Sequence, residues 1–310
     1  MNPEVNAIPE SQIVQPASAP AVLSATRPLY WSVRRELWEY RSIYLAPLAV
    51  AAVFLLGFAV SLIGLRHKMH DLPTLSPMGQ HMLLQQPYNF LSLLTMLTTF
   101  LIAVFYCLDA LYGERRDRSI LFWKSLPVSD LTTVLSKALI PLVVIPLLTF
   151  AITFVTQTIM LLLSCVVLPA NGVSVATLWN DLSFFQMTLM LLYHLLAIHG
   201  LWYAPIYAWL LLISSWARRT PFLWAVLPPL VIVVVERIAF RTSYFGSLLG
   251  NRMSGGSEGA AFAVGSMSMD PMSHISPSQF LLSSGLWIGL AFAVAFLAAA
   301  MQLRRYRDPI

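Results

Sequence analysis

"YNFLSLLTMLTTFLIAVFYCLDALYGERRDRS" occupies residues Tyr88 to Ser119. Up to Leu111 it holds a single charge, Asp109, and then charged residues follow without interruption from Glu114 to Arg118. An apolar run of about 20 residues matches the hydrocarbon thickness of a bilayer. The charged block behind it belongs in water. The stretch therefore reads as a membrane-spanning helix that surfaces near Leu111. The composition agrees: 58% of the 310 residues are hydrophobic and 11% are charged, whereas a soluble domain carries about a quarter charged residues.

Working outward, six apolar segments emerge, at Leu45–Leu65, Tyr88–Leu111, Ala138–Leu163, Phe184–Ile213, Phe222–Phe240 and Leu281–Met301. Pro228 and Pro229 interrupt the fifth, and Glu236 and Arg237 limit its apolar core. Proline is tolerated in a span where neighbouring helices satisfy the backbone groups it frees. The expected fold class is an all-α polytopic membrane protein, with six transmembrane helices within residues 45–303 and an N-terminal amphipathic interfacial helix at 28–44. Residues 1–27 are rich in Pro, Ala, Ser and Gln, with neither an apolar run nor the regions of a signal peptide, and read as a disordered cytoplasmic tail. Residues 304–310 read as a second, short tail.

In the interfacial helix, Tyr30, Val33, Leu37, Tyr40 and Tyr44 recur at helical spacing and form one apolar face. Arg35, Glu36 and Glu39 fall on the other side. Arg34, Arg41, Trp31 and Trp38 sit at the borders, where snorkelling cations and indoles favour a membrane surface.

Six spans place both termini on one side. If that side is the cytoplasm, 14 of the 19 Lys and Arg residues are cytoplasmic, and Arg66, Lys68, Arg237, Arg241 and Arg252 are outside. The positive-inside rule selects this orientation. It makes the chain a multi-pass protein of the cell (inner) membrane, with a cytoplasmic segment at 112–137 and an extracellular loop at 241–280.

Several constellations inside the spans carry polarity. Tyr88, Ser92, Thr95, Thr99, Tyr106 and Asp109 share one face of the second span, which suits either the lining of a pathway or hydrogen bonding between helices. Asp109 lies close to Arg115 and Arg116 in sequence and is expected to pair with one of them. Ala197, Gly200 and Ala204 form a close-packing face in the fourth span. His194 and His199, five residues apart, diverge on an α-helix and read as core histidines. Cys107 and Cys165 read as apolar packing residues. Met267, Met269, Met272 and His274 are soft donors that suit Cu(I), but their Gly- and Ser-rich setting better suits a flexible loop. No metal site is assigned.

The segment between the second and third spans is the densest polar stretch. Glu114 is expected to fix the start of a short helix through a charge-assisted contact with an Arg of the same loop or of a partner. Ile120, Leu121, Phe122 and Trp123 form an apolar cluster that needs a surface to cover it. Pro127 disfavours helix at Leu126, after which Ser129 or Asp130 can cap a helix entering the third span. The residues alone leave two readings open, a helix resting on lipid and a docking element for a cytoplasmic partner.

"LYGERRDRSILFWKSLPVSDLTTVLSK", Leu111 to Lys137, resembles the signature of type-2 ABC exporter permeases. A Glu114-Arg115 pair follows the second span. Then come a short segment at Ser119–Ser125, the run Leu126-Pro127-Val128-Ser129, and Lys137 leading into the third span. Elsewhere the resemblance is one of layout. It implies the permease subunit of an ATP-driven exporter, whose Glu114, Arg115, Arg118, Ile120, Phe122, Trp123, Lys124, Leu126 and Pro127 couple to an ATP-binding subunit. Two copies of that subunit, each holding ATP and Mg, are implied, with a second permease chain, identical or similar. Membrane lipid is a further partner and nucleic acid is not. The chain has no G-x-x-x-x-G-K-[ST] run, so ATP hydrolysis is expected in the partner rather than here. The alternative is a membrane-embedded interaction protein whose loop docks a partner that is not an ATPase. An intramembrane enzyme lacks a convergent catalytic set.

The topology is testable with single cysteines. A cysteine at Ser119 is expected to react only from the cytoplasmic side, and one at Ser257 only from outside. Reaction of both from the same side would contradict the six-span arrangement.

Overall fold

The structure, a computed structural model, describes residues 26–64, 77–119, 129–167, 184–255 and 277–306. Among these it is helical, with no strand. The α-helices are α1 (Thr26–Glu39), α2 (Ser42–Gly64), α3 (Pro77–Ala110), α4 (Tyr112–Arg116), α5 (Asp130–Leu139), α6 (Ile145–Val167), α7 (Phe184–His194), α8 (Ala204–Trp216), α9 (Pro221–Val235), α10 (Tyr244–Met253), α11 (Pro277–Leu282) and α12 (Ser284–Tyr306). Six stretches are long and apolar enough to cross a membrane, at Ser42–Leu62, Gln85–Arg116, Asp130–Val167, Phe184–Trp202, Pro221–Phe240 and Ser284–Tyr306. The expected all-α, polytopic architecture is the one observed. Val53, Phe105, Val166 and Ile238 point outward from four of these stretches, each largely exposed. Large apolar side chains displayed on this scale need lipid to cover them.

The third and fourth apolar segments are not simple α-helices. Between α5 and α6 the chain passes through a π-helical turn, Ile140–Val144, in which the Ile145 N–H reaches the Ile140 carbonyl. Pro141 and Pro146 explain it, since neither has an N–H to close a normal turn. The fourth segment, expected as one helix over Phe184–Ile213, is α7, a π-helical stretch Leu195–Trp202, a break at Tyr203, and α8. The two wide turns meet at Gly200, where a Cβ would lie 2.9 Å from the Leu142 carbonyl oxygen. That oxygen is also the one Pro146 cannot bond. Widening the turn changes the helix's phase. Ala197 therefore packs with Trp202, Phe280 and Leu286, while Ala204 packs with Ala208 and Ala293, so the expected common face is divided between neighbours.

Pro229 likewise leaves the Ala225 carbonyl without an intrahelical donor. Trp209 Nε1 of α8 donates to it at 3.1 Å, and Trp216 meets Trp224 edge-on at 4.8 Å. These contacts hold the start of α9, and the rest of that helix is almost wholly exposed. The segment 241–280, expected as a loop, opens with a helix. Glu236 accepts from the Tyr244 N–H at 2.6 Å and the Phe245 N–H at 2.9 Å, which satisfies the first amides of α10. The far end of α10 is tied back to the bundle by Trp202 Nε1, which donates to the Arg252 carbonyl at 3.2 Å. Met267, Met269, Met272 and His274 lie outside the described residues. Cys107 is a fully buried packing residue and Cys165 is half-buried, both as free thiols.

Two expectations at the ends of the chain are corrected. α12 continues to Tyr306, so Arg304 lies in a helix and is buried rather than in a tail. α1 ends at Glu39, and the chain bends at Tyr40–Arg41 before α2. Its Val33, Leu37 and Tyr40 face does not lie in lipid but packs on the bundle core beside Ile43. Tyr30, expected on that face, is exposed, and Glu36, expected on the polar side, is buried.

Gly200→Ala is expected to cost about 1–3 kcal/mol, because a methyl there must displace backbone rather than a flexible side chain. Gly57→Ala, where nothing lies within 4 Å of the new atom, should instead stabilise the helix by about 0.5–1 kcal/mol. Thermal unfolding of the two variants in mild detergent checks both.

Candidate functional site

At the end of the bundle where α1 lies, the α3–α4 corner is fastened to α8. The Leu111 and Tyr112 N–H groups donate to Ser214 Oγ at 3.0 and 2.8 Å. Arg115 reaches back and donates to the Ser214 carbonyl at 3.5 Å and to the Ala217 carbonyl. These are carbonyls at the C-terminal end of α8, where the helix dipole favours a cation. With Arg115 held on one side of the short helix α4, Glu114 is turned into the space between α1, α5 and α12.

There it meets three cations from three other helices. Glu114 Oε1 lies 3.0 Å from Arg35 Nη2 and 3.2 Å from Lys137 Nζ, and its Oε2 accepts from Arg304 Nη1. Lys137 Nζ also lies 2.8 Å from Glu36 Oε1, and Arg35 Nη2 lies 3.3 Å from the same oxygen. Arg304 Nε completes the set with Asp130 Oδ1 at 3.2 Å. Arg35 Nε also lies 3.3 Å from Glu39 Oε2, at the exposed edge of the cluster, so four carboxylates face three cations. Glu36, Glu114, Lys137 and Arg304 are all at least 96% buried. Burial works against the charge on Arg35, but Glu36 and Glu114 outweigh it and hold its pKa above the ordinary value. Tyr106 donates to Glu36 Oε2 at 2.9 Å, and Tyr40 donates to Asp109 Oδ2 at 3.1 Å, the two rings meeting edge-on. Burial, then Asp109, pushes the Tyr40 hydroxyl well above its usual range.

The cluster also holds the roots of the segment that follows. Ser119 Oγ donates to the Glu114 carbonyl at 3.3 Å, and Arg118 ends the helix in a left-handed conformation, φ 56°. On the far side Ser129 caps α5, its Oγ accepting from the Thr132 N–H at 3.1 Å, and Asp130 follows at once. Arg304 therefore bridges a residue just before the segment, Glu114, to one just after it, Asp130. Ile120, Phe122, Trp123, Lys124, Leu126 and Pro127 lie outside the described residues.

The expected partners of Glu114 and Asp109 are corrected. Glu114 is met by Arg35, Lys137 and Arg304, neither arginine lying in its own loop, and Arg116 instead pairs with Asp117 at 3.0 Å on the surface. Asp109 is bonded by Tyr40, while Arg115 turns to α8. The sequence reading missed Glu36 and Arg304. The signal was an acid at 36 beside an apolar face and a cation at 304 closing an apolar helix, and both stood at ends where charge looks ordinary.

The polar stripe of α3 divides between two neighbours. Thr99 Oγ1 donates to Thr149 Oγ1 at 2.8 Å, Thr153 Oγ1 to Thr95 Oγ1 at 3.1 Å, and Gln157 Nε2 to Ser92 Oγ at 3.0 Å, forming a buried ladder between α3 and α6. Gln157 Nε2 also donates to the Tyr88 carbonyl at 3.4 Å. Tyr106 and Asp109 join α1 and its corner instead. His194 Nδ1 lies 3.0 Å from the Met190 carbonyl and His199 Nε2 lies 3.1 Å from that of Met96. Among the described residues no group of His, Cys, Asp or Glu is placed to hold a metal ion.

No family model, curated protein or solved structure matches this chain. The meaning of the cluster rests on its own geometry.

Removing one member of a buried ion set costs about 3–5 kcal/mol, because its partners stay buried without it. Lys137→Met is expected to fall in that range, and adding Glu36→Gln should recover part of the loss. Arg116→Ala, which breaks an exposed pair, should cost about 0–1 kcal/mol. Detergent-solubilised unfolding curves separate these outcomes.

Proposed function

We propose that this chain is the permease subunit of an ATP-driven ABC exporter, lying in the cell membrane with both termini in the cytoplasm. ATP and Mg are bound by two copies of a separate ATP-binding subunit, and a second permease chain completes the pathway. The observation that carries the reading is the rooting of residues 120–128 in the buried charge cluster. A partner gripping Phe122 and Trp123 pulls on Glu114 and Asp130, and Arg304, Lys137 and Arg35 pass that pull to α12, α5 and α1. Charges buried in this way cannot separate singly without a cost of several kcal/mol, so the helices move as a set. The resemblance of Leu111–Lys137 to the exporter signature supports the same assignment. A segment that only rested on lipid would have no need of roots shared by four helices.

Tagged chain purified from its native membranes is expected to bring down a polypeptide that binds and hydrolyses ATP. Trp123→Ala should reduce that co-purification. Glu114→Gln should retain the partner but abolish any ATP-dependent change in the labelling rate of a cysteine at Ser243. A partner without an ATP site would favour the interaction-protein reading, and wild-type behaviour of both variants would contradict a coupling role for the segment.

A further inference from the structure

The two sides of α1 have different fates. Val33 and Leu37 pack on the bundle, and Arg35 and Glu36 enter the charge cluster. The opposite side displays Trp31, 59% exposed, Arg34, and Trp38, 70% exposed. Arg41 at the corner and Leu45 on the first turn of α2 are exposed as well. The Arg34 guanidinium sits between the indoles, 5.2 Å from the Trp31 ring and 5.1 Å from the Trp38 ring. No ion pair joins Arg34 or Arg41 to a carboxylate among the described residues.

Water does not favour two indoles displayed this openly, and hydrocarbon does not accept two arginines. The headgroup layer accepts both, because indoles and snorkelling cations concentrate there. The stripe is continuous with the apolar start of α2, where Leu45 and Leu48 are exposed, so it meets the bilayer where the headgroups are. A cation stacked on aromatic faces keeps its in-plane N–H groups free for an oxyanion, and guanidinium suits phosphate in particular. We propose that Trp31, Arg34, Trp38 and Arg41 form a binding site for the headgroup of an anionic phospholipid. This reverses the face of α1 that its apolar periodicity assigns to lipid. Because Arg35 and Glu36 follow Arg34 directly, headgroup occupancy presses α1 against the charge cluster and stabilises it. The assignment holds whether or not the chain is a permease.

The test is thermal unfolding of the full chain in neutral detergent, titrated separately with phosphatidylglycerol, phosphatidylcholine and inorganic phosphate. Phosphatidylglycerol is expected to raise Tm, and the other two are not. Arg34→Gln and Arg41→Gln should each shift the phosphatidylglycerol midpoint about fivefold upward. Arg116→Gln, an equal charge loss at another exposed position, should leave the midpoint in place. An equal response to phosphatidylcholine or to inorganic phosphate would overturn the proposal, as would an Arg116→Gln shift matching that of Arg34→Gln.

Discussion

The Glu114 carboxylate is shared by three cations from three helices, and the arrangement of this end of the molecule depends on that sharing. An ionised carboxylate taken out of water is costly unless its lone pairs are filled. Here they are filled by Arg35, Lys137 and Arg304, so the sheltered position of α4 is tenable only while α1, α5 and α12 are all in place. The dependence runs both ways. Each cation is itself buried or half-buried and needs its carboxylate, and Glu36, Asp130 and the half-exposed Glu39 extend the set. A tyrosine, Tyr106, closes the remaining oxygen of Glu36.

The rest of the bundle uses weaker and more local devices. The α3–α6 ladder is built from single hydroxyl and amide bonds, each worth a fraction of a kcal/mol to about 2 kcal/mol within a membrane. Proline-freed carbonyls are covered one at a time, by an indole at Ala225 and by the close approach of Gly200 at Leu142. Apart from the start of α9, its surface is left to lipid. The contrast is informative. Strong, cooperative, long-range ties are concentrated where residues 120–128 enter and leave the fold, and the outer spans are held lightly.

Much of this was legible in the sequence, because the bilayer imposes length and polarity on any helix that crosses it. The six spans follow from apolar runs of the right length, and a cap at Ser129 or Asp130 follows from the proline that precedes them. What the sequence hid is instructive. The π turns at Ile140–Val144 and Leu195–Trp202 arise from backbone accommodation between two helices, and periodicity averages over them. Glu36 looked like a solvated residue because the partners that bury it, Tyr106 and Lys137, are 70 and 101 positions away. α1 looked lipid-facing on its apolar side because amphipathicity reports that a face is buried without saying what buries it. Here protein buries that face and leaves the indoles outward.

Glu114 holds α1, α5 and the end of α12 as one unit. Hydrogen–deuterium exchange on Glu114→Gln against the native chain tests it directly. Loss of protection that appears together in Thr26–Glu39, Asp130–Leu139 and the last turns of α12 is the expected result. A change confined to Tyr112–Arg116 would contradict the account.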